Sequence, residues 1–160
     1  MTDQFSAFQC LLDSLNPYHD EVISRFYKQH KSDVQVMDKW FSAQSVSPIT
    51  SVADIRELME HELFSMTNPN RVRSVIGSFS RNSIQFHCED GYQLLSEIII
   101  KLDSMNPQIA ARFMGIFNHW RRFTNKYSAL QKSELNSIIS QKKLSDDVYE
   151  IVHTALREDG

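Results

Sequence analysis

The sequence predicts an all-α protein of about nine short helices, stacked either as a bundle or as an α-solenoid. Apolar residues recur at helical spacing along most of the chain, whereas strict alternation of apolar and polar residues is almost absent. Only four Gly and four Pro occur in 160 residues, which disfavours turn-rich β folds. The apolar stripes are separated by only a few residues, and such short connections make consecutive helices antiparallel neighbours.

Each helix is predicted by a stripe of apolar residues at i, i+3, i+4 or i+7 spacing. In chain order the stripes are Phe8–Leu15, Val22–Tyr27, Val36–Phe41, Ile55–Met59, Val72–Phe79, Tyr92–Leu102, Ile109–Trp120, Leu130–Ile139 and Val148–Leu156.

Capping residues mark where several of these helices start. Ser51 and Asp54 form the pattern of a capping box, and Ser145 precedes two acidic residues that suit a first helical turn. The dipeptide Asn-Pro also occurs three times, beginning at Asn16, Asn68 and Asn106. Because Asn accepts hydrogen bonds from unpaired amides and Pro tolerates the first helical position, we expect a helix to start at each.

Composition favours one globular, cytoplasmic domain over residues 1–160. The net charge of −3 is unlike the basic balance of a dedicated nucleic-acid binder. We interpret Cys10 and Cys88 as free thiols in a reducing compartment, a single disulfide being the alternative. The N-terminus has no signal-peptide pattern, and the longest apolar run, Ile98–Ile100, is too short to span a bilayer. We therefore expect no nucleic-acid or membrane partner.

Two clusters contain metal-ligand residue types, but neither predicts a metal site. His61-Glu62 begins like the zinc-protease motif His-Glu-x-x-His, yet the fifth position is Ser65, so the second ligand is missing. A helix C-terminus at which His61 caps carbonyl groups is the preferred interpretation. In the run from His87 to Asp90, adjacent residues rarely bind one ion together, and a hydrogen-bonded loop is preferred. No nucleophile motif or phosphate loop is present, so we predict no catalytic residue and no metal or cofactor in this chain.

Arginines beside apolar stripes are the remaining candidates for binding. Arg71 and Arg73 flank the stripe that begins at Val72, where arginines usually extend over the core edge with the guanidinium in water. Gln108 and Arg112, at i and i+4, form a similar polar flank. Two such flanks could together bind a carboxylate or a peptide backbone.

Several segments resemble the C-terminal helical domain of bacterial aminopeptidase N, a zinc-dependent gluzincin aminopeptidase. They are VMDKWFSAQ (36–44), SMTNPNRVRSVIGSFS (65–80), FHCEDGYQLL (86–95), DSMNPQIAARF (103–113) and LSDDVYEIVHTAL (144–156). The resemblance runs from about residue 1 to residue 156 and keeps the family order. It implies an α-solenoid, a superhelical array like ARM and HEAT repeats. The first residues of the chain, MTD, resemble an internal stretch of that domain, so we expect the chain to be a C-terminal segment of a larger enzyme.

The resemblance also implies a role. In the family, zinc is bound by a His-Glu-x-x-His helix and a later Glu that this chain lacks, so the chain alone is expected to be inactive and zinc to belong to the parent enzyme. The domain packs on the catalytic domain, closes the active-site cavity and restricts access to peptides. The family's cavity-lining positions correspond here to Arg73, Gln108 and Arg112, which would orient the substrate's distal backbone or carboxylate. The family's HxEDGSGY turn is two residues shorter here, at Asp90-Gly91-Tyr92, so no cavity contact is carried over there.

Two other interpretations stay open. The chain could be a free-standing helical-repeat module that binds peptides or proteins. A weaker alternative is single-stranded nucleic-acid binding through Arg121 and Arg122, which the near-neutral charge disfavours. If the chain is separated from a catalytic domain, the exposed docking face should also cause some self-association.

Overall fold

The computed structural model describes residues 2–157, which form helices joined by short connections and contain no strand. This confirms the all-α prediction. The chain divides into two compact units, unit 1 up to Phe86 and unit 2 from His87 onwards. Within the described part of the chain, no helix is long and apolar enough to cross a membrane.

Unit 1 is built from helices that pack around aromatic side chains. Its elements are α1 (Thr2–Leu12), α2 (His19–His30), α3 (Val34–Val46), α4 (Val52–Met59), α5 (Pro69–Val72) and a π-helical segment (Arg73–Gly77) that continues α5. The ring of Phe8 in α1 stacks on Phe26 in α2 with centroids 4.3 Å apart. Helix α3 lies centrally, in contact with α1, α2, α5 and the π-helical segment. Trp40 and Phe41 of α3 are therefore buried, as their helical spacing predicts.

Unit 2 has the contact pattern of stacked helical repeats. Its elements are α6 (Glu89–Asp103), α7 (Pro107–Met114), a 3₁₀ segment (Gly115–Arg122), α8 (Asn125–Ile139) and α9 (Asp146–Leu156). Helix α6 packs on both α7 and α8, and α9 packs on both of these as well. The contacts thus join helices that are consecutive and helices that are two positions apart in the chain, as in α-solenoids.

Most of the predicted helix starts are confirmed. Ser51 and Asp54 form a complete capping box at α4, and the Ser145 hydroxyl accepts the amide of Val148 at 3.2 Å at α9. Asn68 and Asn106 cap α5 and α7, each followed by Pro in the first turn. These caps satisfy amide groups that the first turn of a helix leaves without partners.

Asn16 is different, and the prediction that it starts a helix was wrong. Its Nδ2 donates to the Leu11 carbonyl oxygen at 2.8 Å, and its Oδ1 accepts the Tyr18 amide at 3.0 Å. The side chain therefore stabilises a turn between two helices, and α2 begins only at His19. An Asn side chain can cap the start of a helix or hydrogen-bond within a turn, and here the carbonyl group of Leu11 at the end of α1 lies within its reach.

The predicted helix Ile109–Trp120 is α-helical only as far as Met114. It continues as the 3₁₀ segment, in which His119 departs from helical geometry (φ −105°, ψ 19°). The tighter turn buries Trp120, whose Nε1 donates to the Ala155 carbonyl oxygen at 3.0 Å. Arg121 donates to the same carbonyl at 2.8 Å and so covers the C-terminal end of α9. Arg121 therefore has a structural role.

Candidate functional site

The helix that carries Arg73 is positioned by its first residues. The Asn68 Oδ1 accepts the amides of Asn70 at 3.1 Å and Arg71 at 3.3 Å, and Pro69 occupies the first turn. The helix then widens into the π-helical segment Arg73–Gly77. Wide turns of this kind inside helices frequently mark functional sites.

Arg73 is exposed, and hydrogen bonds to its own helix fix its side chain. Its Nε donates to the Pro69 carbonyl oxygen at 3.3 Å, and its Nη2 donates to the Asn70 Oδ1 at 2.8 Å. A side chain that is already ordered loses less conformational entropy when it binds a ligand. Arg73 is thus on the surface and preorganised.

A shallow groove of about 440 Å³ adjoins Arg73 and is positively charged. Lys39, Arg73 and Arg81 line it, and Asp38 is the single carboxylate among its lining residues. That carboxylate is paired with Arg71, since Asp38 Oδ1 and Arg71 Nη1 lie 2.8 Å apart. The other lining residues are small: Ser42, Ser74, Gly77 and Ser78. Guanidinium, ammonium and hydroxyl groups together suit a carboxylate ligand.

Arg71 is buried, which corrects the expectation that its guanidinium lies in water. Only 4% of the residue is exposed, and its Cζ lies 4.9 Å from the centre of the Phe41 ring. The planar guanidinium can stack on an aromatic ring while it pairs with a carboxylate, so the core accommodates the charge. Of the two arginines in NPNRVR, only Arg73 is available to a ligand.

Gln108 and Arg112 lie one helical turn apart on the exposed face of α7. The opposite face of this helix is buried through Ala110, Phe113 and Met114. The cap of α7 is formed by the Asn106 Oδ1, which accepts the Ile109 amide at 3.3 Å. The polar flank predicted from the sequence is thus confirmed as an exposed pair of side chains.

The three predicted site residues are divided between the two units. Arg73 lies in unit 1, and Gln108 and Arg112 lie in unit 2. Each is exposed, as a ligand-binding residue must be. Their convergence on one cavity stays a prediction. Lys39 and Arg81, which share the groove with Arg73, were missed by the sequence reasoning because no motif or periodicity distinguishes a surface cation.

His61-Glu62 belongs to an aromatic cluster. The His61 ring lies 5.1 Å from the rings of both Tyr27 and Trp40, and the Tyr27 hydroxyl donates to Glu62. The expectation that His61 caps carbonyl groups was wrong for Nδ1, which accepts the amide of Leu63 at 3.1 Å. Burial lowers the His61 pKa, so the ring is neutral at pH 7. Among residues 2–157, no three His, Cys, Asp or Glu side chains come together as a metal site.

The run from His87 to Tyr92 is hydrogen-bonded, as expected, although it starts a helix instead of forming a loop. Cys88 is not part of a disulfide, and its Sγ accepts the amide of Gly91 at 3.4 Å, so it caps α6. The Tyr92 hydroxyl lies 2.9 Å from the His87 Nδ1 and accepts from Gln131 Nε2 at 3.1 Å. Burial lowers the pKa of His87 and raises that of Tyr92 to about 12. The shortened turn is thus built into the core of unit 2.

The sequence matches, over residues 1–157, the family model described as a domain of unknown function (DUF3458_C) with ARM repeats. It is 35% identical over 160 residues to aminopeptidase N of Escherichia coli (strain K12) and 34% identical over 161 residues to aminopeptidase N of Haemophilus influenzae. Each alignment covers 98% of this chain and 18% of the relative. The matched part is the C-terminal region of these enzymes, without their catalytic domain.

A solved structure gives the same result. The chain superposes with a TM-score of 0.91, at 31% identity, on the crystal structure of Legionella pneumophila aminopeptidase A in complex with aspartic acid. The match covers 98% of this chain and 19% of that one. The chain therefore spans about a fifth of the length of the proteins it matches.

Proposed function

Since the chain belongs to the DUF3458_C family of ARM-repeat domains, we propose that it serves as the non-catalytic C-terminal domain of a cytoplasmic, zinc-dependent aminopeptidase. In this role residues 1–160 act as one domain that closes the active-site cavity and helps to restrict and orient peptide substrates. The observation that carries the proposal is the similarity of 98% of the chain to the C-terminal region of bacterial aminopeptidases N.

Arg73 is proposed to bind the distal carboxylate or backbone of the peptide. Support comes from its exposure, its ordered guanidinium and the cationic groove that it shares with Lys39 and Arg81. An arginine fork donates two parallel hydrogen bonds to a carboxylate, which a lysine cannot do. The groove thus favours peptides that end in a free carboxylate.

Gln108 and Arg112 are proposed to line the same cavity. An exposed amide can both donate to and accept from a peptide backbone, while the guanidinium donates only. Placed one turn apart on α7, the two side chains can contact successive groups of an extended peptide. Their role is orientation, since neither group is suited to activate water.

The chemistry of the parent enzyme is proposed to depend on residues outside this chain. A zinc ion held there would polarise the scissile carbonyl and lower the pKa of a bound water. The residues of this chain would instead exclude water and long substrates from the cavity and hold the peptide in one orientation. The cytoplasmic catalytic domain of the same enzyme is therefore the proposed partner.

The test uses the longer enzyme that carries this domain. Arg73→Ala should raise KM about tenfold for peptides with a free C-terminal carboxylate, because the charge-assisted hydrogen bonds from the guanidinium to the carboxylate are lost. It should leave KM unchanged for the same peptides with a C-terminal amide. Arg25→Ala, an exposed arginine of α2 outside this groove, is the matched control. An equal rise in KM for the free-acid and the amidated peptides would contradict carboxylate recognition.

The chain by itself provides a second test. Purified residues 1–160 should contain no stoichiometric zinc and should not hydrolyse an aminoacyl-anilide. Added to the separately produced catalytic portion, the chain should bind to it and change its turnover of peptides. Zinc together with turnover in the isolated chain would contradict the non-catalytic role.

A free-standing peptide-binding module is the alternative, and a large apolar groove in unit 1 favours it. The two functions differ in what precedes the chain in its gene. An upstream His-Glu-x-x-His sequence in the same reading frame would exclude the module, and an isolated gene would support it.

Self-association of the isolated domain is also proposed. Large apolar side chains such as Val34 and Ile84 are exposed, as expected of a surface that normally packs against another domain. Static light scattering should show a mass that rises with concentration. A constant monomer mass at high concentration would contradict this.

A further inference from the structure

A second groove, of about 960 Å³, lies within unit 1. It is formed by the end of α1, by α2 and α3, and by α4 with the turn that follows it. The volume falls in the range of sites that enclose a good part of a bound ligand. None of the residues discussed for substrate orientation lines it.

The floor of this groove is apolar, and the indole N–H of its tryptophan already has a hydrogen-bond partner. Ile23, Ile49 and Leu58 are partly exposed and line it, whereas Leu12 and Trp40 are buried beneath them. The Trp40 Nε1 donates to the Ile23 carbonyl oxygen at 3.2 Å. At one edge Leu15 is 88% exposed. The accessible part of this floor is thus aliphatic, which suits leucine-like side chains.

The rim of the groove is acidic. Four carboxylates line it, from Asp20, Asp54, Glu57 and Glu60, and its lining residues include no Lys or Arg. Glu57 and Glu60 are exposed, whereas Asp54 is partly occupied by the capping box of α4. His61 also lines the groove, and burial lowers its pKa, so it does not offset this charge at pH 7.

From the apolar floor and the acidic rim, we propose that this groove binds a short peptide segment that carries both leucine-like and basic side chains. The apolar side chains contact Leu15, Ile23 and Leu58, and lysine or arginine side chains reach the carboxylates at the rim. Nucleic acids and acidic peptides are repelled by the same carboxylates. This inference does not depend on aminopeptidase activity, because the groove would bind such a segment in either proposed function.

The test measures binding of a fluorescein-labelled peptide in which leucines alternate with lysines, by anisotropy with the full 160-residue chain. The double variant Glu57→Gln/Glu60→Gln should weaken binding about 3- to 10-fold at low ionic strength. In about 0.5 M salt, where charges are screened, the variant and the parent chain should bind with similar Kd. The same peptide with glutamates in place of lysines should not bind.

Two controls separate this effect from misfolding. Glu57 and Glu60 lie at the C-terminal end of α4, where removal of negative charge favours the helix dipole, so the double variant should remain folded. Glu21→Gln, a carboxylate of α2 outside the groove, should leave the Kd unchanged. Leu15→Ser, at a largely exposed position where folding should be unaffected, should weaken binding several-fold by removing apolar contact.

Three results with the isolated chain, and one with the longer enzyme, would overturn the proposal. The first three are equal binding of the lysine and glutamate peptides, an unchanged Kd in both the double variant and Leu15→Ser, or a loss of binding in Glu21→Gln as large as in the double variant. If the lysine peptide binds the isolated chain but not the longer enzyme, the catalytic region occupies the groove and the assignment to a separate peptide is wrong.

Discussion

The guanidinium of Arg71 pairs with the carboxylate of Asp38, with Nη1 and Oδ1 2.8 Å apart, inside the core of unit 1. Arg71 also lies over the Phe41 ring, while its Nε has no hydrogen-bond partner among the described residues. The Asp38 side chain is 25% exposed, so water reaches one side of the pair. The contact joins α5 to α3 and holds the start of the helix that carries Arg73.

Arg71→Ala should lower the free energy of unfolding by about 3 kcal/mol, because it removes ring contacts and leaves a half-buried carboxylate unpaired. Arg73→Ala, two residues away but exposed, should cost no more than about 0.5–1 kcal/mol. Urea denaturation of both variants gives the comparison. Similar costs for the two would show that the Arg71–Asp38 pair does not stabilise the core.

Asp103 and Ser145 connect the end of α6 to the start of α9. The Asp103 carboxylate is buried and accepts the Ser145 amide at 2.8 Å and the Ser145 hydroxyl. Asp103→Ala should destabilise the protein by about 2–3 kcal/mol, since two donors lose a charged acceptor. Asp103→Asn retains one acceptor oxygen and should cost less. Thermal or urea unfolding measures both variants. A smaller loss of stability in Asp103→Ala than in Asp103→Asn would be inconsistent with this role.

His61 should make the protein less stable in mild acid. Burial chiefly lowers its pKa below 6.5, Arg71 adds to this effect and Glu62 opposes it. Because the folded state binds this proton more weakly than the unfolded state, stability is full above the unfolded pKa and falls as the pH drops from about 7 toward 5. Protonation of Nδ1 would also break its hydrogen bond with Leu63.

His61→Asn tests this directly, since an Asn side chain can still accept the amide two residues on but does not titrate. The variant should be less stable at pH 7 by about 1–2 kcal/mol through lost ring contacts. Its further loss between pH 7 and 5 should nevertheless be smaller than that of the parent chain. His87, whose pKa burial also lowers, should account for part of the remaining slope. If the unfolding free energies of the variant and of the parent chain fell with equal slopes between pH 7 and 5, His61 would be excluded as a titrating group.

Tyr92 should make the protein less stable in alkali. It is 1% exposed, and burial raises its pKa from 10.0 to about 12, while the hydrogen bond from Gln131 opposes the shift. Since the folded pKa is higher than the unfolded one, this contribution is full below pH 10 and is lost between pH 10.0 and about 12.

Tyr92→Phe should cost about 1–2 kcal/mol at neutral pH, because Gln131 and His87 lose a partner. Its unfolding free energy should then decline less steeply above pH 10.0. Urea titrations at several pH values, with tyrosinate absorbance followed in parallel, would measure this. An absorbance step near pH 10.0 from every tyrosine of the parent chain would contradict the raised pKa.

Local signals were sufficient to predict the helices and most of their caps. A cap such as Ser51 or Ser145 contacts groups within three residues, so sequence neighbours decide it. Asn16 was predicted incorrectly because its second partner, the Leu11 carbonyl, belongs to the preceding helix. Arg71 was placed in water because its partners come from α3, and helical spacing does not show which distant helix packs against a residue.

The candidate site was only partly predictable. Arg73, Gln108 and Arg112 were chosen through family resemblance, and spacing alone indicated only polar flanks. Their exposure is now observed, whereas Lys39 and Arg81 became candidates only when folding brought α3 beside the π-helical segment. The acidic groove of unit 1 likewise requires four separate elements, so no short motif could have indicated it.

The π-helical segment has a consequence for residue spacing. In an unbroken α-helix, Arg73 and Arg81 would project about 80° apart around the axis. The wider turn behaves as a one-residue insertion, which offsets much of that angle and lets both side chains line one groove. If the same residues were wound as a regular α-helix, the turn that carries Arg81 would be rotated by about 100° relative to its present position. The positive charge of this face therefore depends on the number of residues in the turn as much as on which residues they are.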